Sequence, residues 1–129
     1  MQITTFLMFS GRAQEAMTFY MSLFDDSRVV SMTCYGPNEA GKEGTIQHAT
    51  FELNGQQFMC IDSPVTHPFT FTAAMSLFVS CTEQQEIESL FAALSDNGSV
   101  LMPLQAYPFA RLFAWVQDRF GVSWQLKLA

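Results

Sequence analysis

The sequence predicts an α+β fold built from two tandem βαβββ modules, and three observations carry that prediction. A turn glycine followed by an alternating, aromatic-bearing strand occurs twice, in GQQFMCID at Gly55–Asp62 and in DRFGVSWQLK at Asp118–Lys127. Before each ending stand the same kinds of segment: a short apolar run, a stretch with helical spacing, then extended runs separated by turn residues. The halves also superpose by displacement. At a shift of 71, Gln14, Glu15, Thr18 and Leu23 fall on Gln85, Glu86, Ser89 and Leu94, and FLMFS (6–10) falls on LFVSC (77–81). At a shift of 66, Gly55 falls on Gly121 and Phe58 on Trp124.

Taken in order, Ile3 to Phe9 is a β-branched and aromatic run, read as a strand and broken by Ser10-Gly11. Ala13 to Phe24 places Ala16, Phe19, Tyr20, Leu23 and Phe24 at helical spacing, with Glu15 near its start to suit the helix dipole. Asp25-Asp26-Ser27 ends it, Arg28 to Tyr35 is a strand, and 36–44 is an exposed loop. Thr45 to Leu53 alternates, with Ile46, His48, Thr50 and Glu52 on one face. Asn54-Gly55 is a hairpin turn, returning through Gln57 to Ile61.

Residues 63–72 read as a connection between the halves. The second half opens with a strand from Ala74 to Cys81. Thr82 is the expected N-cap, with Gln85 completing a capping box, for a helix from Glu83 to Leu94. Asp96-Asn97-Gly98 stops that helix. Strands are expected over Val100–Leu104 and Leu112–Gln117, around a loop holding Tyr107-Pro108, and a last strand over Val122–Leu128.

Composition narrows the function classes. At 129 residues, with 49% hydrophobic and 14% charged residues, the chain has the size and balance of one globular domain. Thirteen Phe and eight Met imply a wide core, or apolar surface that a partner covers. Net charge is −6 and the six Lys and Arg are scattered, so no basic stripe exists for a phosphate backbone. Nucleic acid is not an expected partner. Cys34, Cys60 and Cys81 form no CxxC and read as free thiols in a reducing cytoplasm. The N-terminus lacks the pattern of a signal peptide, and no apolar run reaches the roughly 18 residues that span a bilayer. A soluble, cytoplasmic protein with no membrane partner is expected.

The strings FLMFSGRAQEAMTFYMSLF, EGTIQHATFELNGQQFMCID, FTFTAAMSLFVSC and DRFGVSWQL extend the doubled pattern over nearly the whole chain. They resemble the vicinal-oxygen-chelate superfamily of glyoxalases, bleomycin-resistance proteins and dioxygenases. The resemblance is to its PhnB-like branch, which also carries the label 3-demethylubiquinone-9 3-methyltransferase. It implies a single glyoxalase-like domain over 1–129, with module one about 1–62, the connection 63–72 and module two about 73–129. It further implies a curved mixed sheet with helices on the convex side, a concave ligand cup, and assembly as a homodimer.

Enzymes of the superfamily hold a divalent metal through His and Glu on the first and last strands of each half. The matching positions here are about Thr5, Met59 or Cys60, Ser76 and Gln125, which provide neither the imidazole nor the carboxylate that such a cation takes. No metal site and no cofactor are therefore predicted. The methyltransferase label implies S-adenosylmethionine, but the turn Phe9-Ser10-Gly11-Arg12-Ala13 holds one glycine where close cofactor approach favours several.

Thr5, His48, Met59, Ser76 and Gln125 are the candidate cup-lining residues. Gln125 stands with Ser123 and Lys127, opposite Trp124, Leu126 and Leu128. Tyr35, Tyr107, Phe109 and Trp115 are candidate aromatic walls. His48 is the one catalytic candidate, as an acid or base, while His67 lies in the connection. The expected function is metal-free binding of a small, partly apolar molecule. The alternatives are an enzyme with a displaced acid-base or metal site using His48 and Gln125, and a purely structural or partner-binding protein.

Overall fold

The structure, a computed structural model, describes all residues, Met1–Ala129. It consists of two compact units, Met1–Pro68 and Phe69–Ala129. Each is a βαβββ module, as the doubled pattern predicts.

In the first unit, β1 (Thr5–Phe9) leads into α1 (Ala13–Leu23), followed by β2 (Ser27–Cys34), β3 (Ile46–Leu53) and β4 (Gln56–Asp62). The sheet order is β1-β4-β3-β2, with β1 parallel to β4 and the other neighbours antiparallel. The β3–β4 hairpin turns through Asn54 and Gly55, both at positive φ (50° and 83°). That conformation suits the twist of the flanking strands and explains the Asn-Gly pair. One face of the sheet carries Leu7, Phe9, Ala49, Phe51, Leu53, Phe58 and Cys60, all buried. Against it α1 lays Ala13, Ala16, Met17 and Tyr20, packing over β2, β3 and β4. Phe51 and Phe58 are cross-strand partners whose rings stack 5.6 Å apart.

The second unit repeats the plan with β5 (Ser76–Cys81), α2 (Gln84–Ser95), β6 (Ser99–Tyr107), β7 (Ala110–Gln117) and β8 (Ser123–Leu128). Its order is β5-β8-β7-β6, again with a parallel first pair. Ile87, Leu90 and Leu94 of α2 cover Trp124, Leu126, Leu128, Ala114 and Val116. The helix ends through Asn97 in the left-handed region (φ 58°). Gly98 follows, where a Cβ would stand 2.2 Å from the Gln117 carbonyl oxygen.

Several expectations need correction. The capping box of α2 lies one residue later than predicted. Glu86 rather than Gln85 reaches back, its Oε1 accepting from the Thr82 and Glu83 amides at 2.9 and 3.0 Å and from the Thr82 hydroxyl at 3.0 Å. These donors hold the Glu86 carboxyl below its ordinary range, the Thr82 amide first. The loop expected after Leu104 is strand: β6 runs on to Tyr107 and turns tightly through Pro108 and Phe109. Pro103 is tolerated there because β6 is an edge strand. Ile46 does not share the face of His48. The register shifts between Thr33 and Cys34, leaving Gln47 as an extra exposed residue and turning Ile46 into the core.

The most consequential difference concerns the first strands. Thr5 pairs with Phe58, whereas Ser76 pairs with Ser123 and Leu77 with Trp124. Phe58 and Trp124 are equivalent, so Thr5 matches Leu77 and Phe6 matches Phe78, an offset of 72 rather than 71. A slip of one residue exchanges the faces of a strand. Thr5 therefore lies on the helix-covered face, not with Met59, whose partner is Phe6.

Candidate functional site

The face of the second sheet turned away from α2 forms a grid defined by its register. Across β5, β8 and β7 its rows are Ser76–Ser123–Gln117, Phe78–Gln125–Trp115 and Ser80–Lys127–Phe113. Two of the predicted cup residues, Ser76 and Gln125, meet here. Gln125 Nε2 donates to Ser76 Oγ at 3.1 Å, and Ser76 Oγ lies 2.7 Å from Ser123 Oγ. Trp115 Nε1 donates to Ser123 Oγ at 2.9 Å, and Ser123 donates to the Ala73 carbonyl oxygen at 3.4 Å. With Ser76 donating to Ser123, every hydroxyl proton in this chain has an acceptor. Its direction turns the Gln125 amide nitrogen toward Ser76 and leaves Oε1 to accept from another group.

Beside this polar string lies an aromatic cluster. Phe78 stands 6.5 Å from Phe113 between ring centroids, across the Gln125 and Lys127 side chains. Phe113 meets Tyr107 and Phe109 edge-on at 5.8 and 5.1 Å, and those two stack at 5.6 Å. Tyr107 and Phe109 thus meet in this cluster, and Trp115 lies on the same face of β7 as Phe113, all within one unit. Tyr35 is not among them. It is buried in the first unit with its hydroxyl on the Asp62 carbonyl oxygen at 3.1 Å.

The first unit presents a different face. Its outward grid holds Phe6 and Met8 of β1, Gln57, Met59 and Ile61 of β4, and His48, Thr50 and Glu52 of β3. His48 and Met59 lie diagonally on this face, so these two candidates are brought together, while Gln125 belongs to the other unit. Glu52 is engaged by Arg28 at 3.1 Å and offers His48 no orienting carboxylate. Cys60 is no partner for His48 either. It lies opposite Ala49, on the helix side, where burial and then the Asp62 carboxylate push its thiol up to about 12. His67 Nε2 is 2.9 Å from Ser63 Oγ, within the connection. Within neither unit do three or more His, Cys, Asp or Glu side chains gather where they could hold a metal ion.

Two carboxylates that sequence reasoning passed over are structural. Asp62, 3% exposed, ends β4 and accepts from three backbone amides. Its Oδ1 takes Gly11 N at 2.7 Å and Ala13 N at 3.0 Å, and its Oδ2 takes Ile46 N at 2.9 Å. The other, Asp118, is a charge in a turn, a place where carboxylates ordinarily meet solvent. It is 4% exposed, because its carboxylate accepts from Phe120 N, Val122 N and the indole Nε1 of Trp124 at 2.8, 3.1 and 2.9 Å. Arg119 pairs with Asp96 at 3.2 Å.

The comparisons with known proteins agree with this architecture. Residues 1–127 match the family described as 3-demethylubiquinone-9 3-methyltransferase. The PhnB protein from Bacillus cereus is 60% identical, with full coverage of both chains and a TM-score of 0.98. Protein PA1353 from Pseudomonas aeruginosa is 30% identical over 99% of this chain and 97% of its own, with a TM-score of 0.86. A glyoxalase/bleomycin resistance protein from Albidiferax ferrireducens shares the fold at 11% identity, with a TM-score of 0.59 and 99% of each chain covered. None of the curated proteins matches the chain.

The family description implies S-adenosylmethionine, and the residues present do not fit it. Nucleotide cofactors are commonly received by free amides where the first strand turns into the first helix. Here the Gly11 and Ala13 amides are already taken by Asp62, and the carboxylate of the cofactor would face that anion. The donors are spent on the fold. By sequence and by structure the chain nonetheless belongs to the 3-demethylubiquinone-9 3-methyltransferase family, as a PhnB-like domain with the glyoxalase fold.

Proposed function

We propose that the protein binds a small, partly apolar molecule on the outward face of β5, β7 and β8, and that it does so without a metal ion. The observation that carries this reading is the juxtaposition of the Gln125–Ser76–Ser123–Trp115 hydrogen-bond chain with the Phe78 and Phe113 rings. A few placed polar groups among apolar walls is the ordinary make-up of a ligand site. The grid offers hydroxyls, amides and one ammonium, none of them a strong donor to a divalent cation.

The test is a titration of 2-naphthol, followed by NMR on the Trp115 indole N–H and the Gln125 side-chain amide. Saturable shifts at both, weakened severalfold by Gln125→Ala, are expected. Shifts confined to other residues overturn the site. Calorimetric titration with zinc, nickel, manganese and iron tests the metal-free part, which tight stoichiometric uptake of any one would defeat.

A further inference from the structure

The same grid points to the chemistry of the ligand, an inference that rests on the binding reading above. Lys127 lies on β8, an inner strand, between Ser80 on β5 and Phe113 on β7. Arg12, Arg28 and Arg119 are each held in an ion pair, and Lys127 is in none. Its side chain is half-buried against a buried ring, Phe113 being 5% exposed. A strand does not require a cation at that point. The first unit, with the same pleat and order, carries Ile61 where the second carries Lys127, Met59 for Gln125, Met8 for Ser80 and His48 for Phe113. An aliphatic side chain there satisfies the fold. The ammonium and the amide are additions particular to the second unit.

Three constraints on a ligand follow. The Phe78 ring, exposed beside Gln125 and backed by its contact with Phe113, favours a flat, aromatic body. Lys127 favours a negative charge at one end of it. Gln125, two residues along the strand and thus about 6–7 Å away, has its Oε1 open and favours a hydroxyl or N–H donor at the other end. We infer that the face of β5, β7 and β8 selects a planar aromatic anion bearing a hydroxyl group, with the anion on Lys127, the hydroxyl on Gln125 and the ring against the exposed Phe78.

The probe is 6-hydroxy-2-naphthoate, compared with its neutral methyl ester by fluorescence titration and by NMR on the Gln125 and Trp115 side chains. The acid is expected to bind about tenfold more tightly than the ester. Lys127→Met should abolish that preference, Lys127→Arg should keep most of it, and Gln125→Leu should weaken acid and ester alike. If acid and ester bind equally, with shifts on the grid, the anion inference fails while the binding face stands. If neither moves a grid resonance, both fail. If the acid is preferred but Lys127→Met leaves the preference intact, the cation is elsewhere and the assignment is overturned.

Discussion

Replacing Asp62 by alanine removes the acceptor for three backbone amides that belong to three different elements. Gly11 N lies in the turn after β1, Ala13 N opens α1 and Ile46 N opens β3. Gly11 is exposed and its amide regains a water partner, whereas Ala13 and Ile46 are fully buried and theirs do not. An unsatisfied buried donor costs about 1–3 kcal/mol. Two of them, with the lost bond at Gly11, put Asp62→Ala at about 3–5 kcal/mol of a total stability of about 5–15 kcal/mol.

Asp62→Asn separates charge from connectivity. Its remaining oxygen can still serve Gly11 and Ala13, but its amide group then faces the Ile46 N–H donor to donor. About 2–3 kcal/mol is expected for that single conflict. The assay is urea denaturation followed by far-ultraviolet circular dichroism, together with tryptophan fluorescence. Both tryptophans, Trp115 and Trp124, lie in the second unit, so the pair of probes also shows whether the loss stays in the first. A loss below about 1 kcal/mol for the alanine variant would refute the view that one carboxylate ties the helix to the sheet.

Three further outcomes follow from other sites. Gly98→Ala should destabilise by about 1–3 kcal/mol in thermal or urea melts, since a Cβ 2.2 Å from the Gln117 carbonyl oxygen forces the backbone apart. Native protein should be alkylated by iodoacetamide at pH 8 on Cys34 alone, with Cys60 and Cys81 reacting only in denaturant, as mass spectrometry would count. Raising the folded pKa of Cys60 from 9.0 to about 12 leaves its contribution intact below pH 9 and removes it as pH climbs toward 12, a slope of up to about 1.4 kcal/mol per pH unit. Cys60→Ala should flatten that part of the stability profile. Glu86, held low by its amide and hydroxyl donors, should titrate below 4.5 by NMR and move upward in Thr82→Val.

Alternation, turn glycines and helical spacing exposed the doubled module because each is a local property of consecutive residues. The faces of β4, and of β3 from His48 onward, followed from the Asn54-Gly55 turn, which sets Leu53 against Gln56 and so Thr50 against Met59, and those of β8 from its alternation of Ser123, Gln125 and Lys127 with Trp124, Leu126 and Leu128. Failure came where local pattern is silent. Phe6–Phe9 and Leu77–Val79 are apolar throughout, so composition could not reveal which residues of β1 and β5 face outward; the registers Phe6↔Met59 and Phe78↔Gln125 decide it. The burial of Asp62 and Asp118 depends on amides supplied by backbone geometry, to which residue types give no clue. A weak sign existed for Asp118, since Asp, Gly and Trp stand three apart in DRFGVSW, and an Asx-type turn there has an indole within reach. The Lys127 environment needed both neighbouring strands before its grid could be seen.

The unequal offsets of the two halves bear on any attempt to exchange side chains between them. Phe6 answers to Phe78, Thr50 to Trp115 and Met59 to Gln125, separations of 72, 65 and 66 residues. A chimera designed by sliding one half along the other at any single value would therefore transplant some strands inside out. Lysine grafted at Ile61 would take the outward position that Lys127 holds in the second unit, whereas one position earlier, at Cys60, it would drive an ammonium beneath α1.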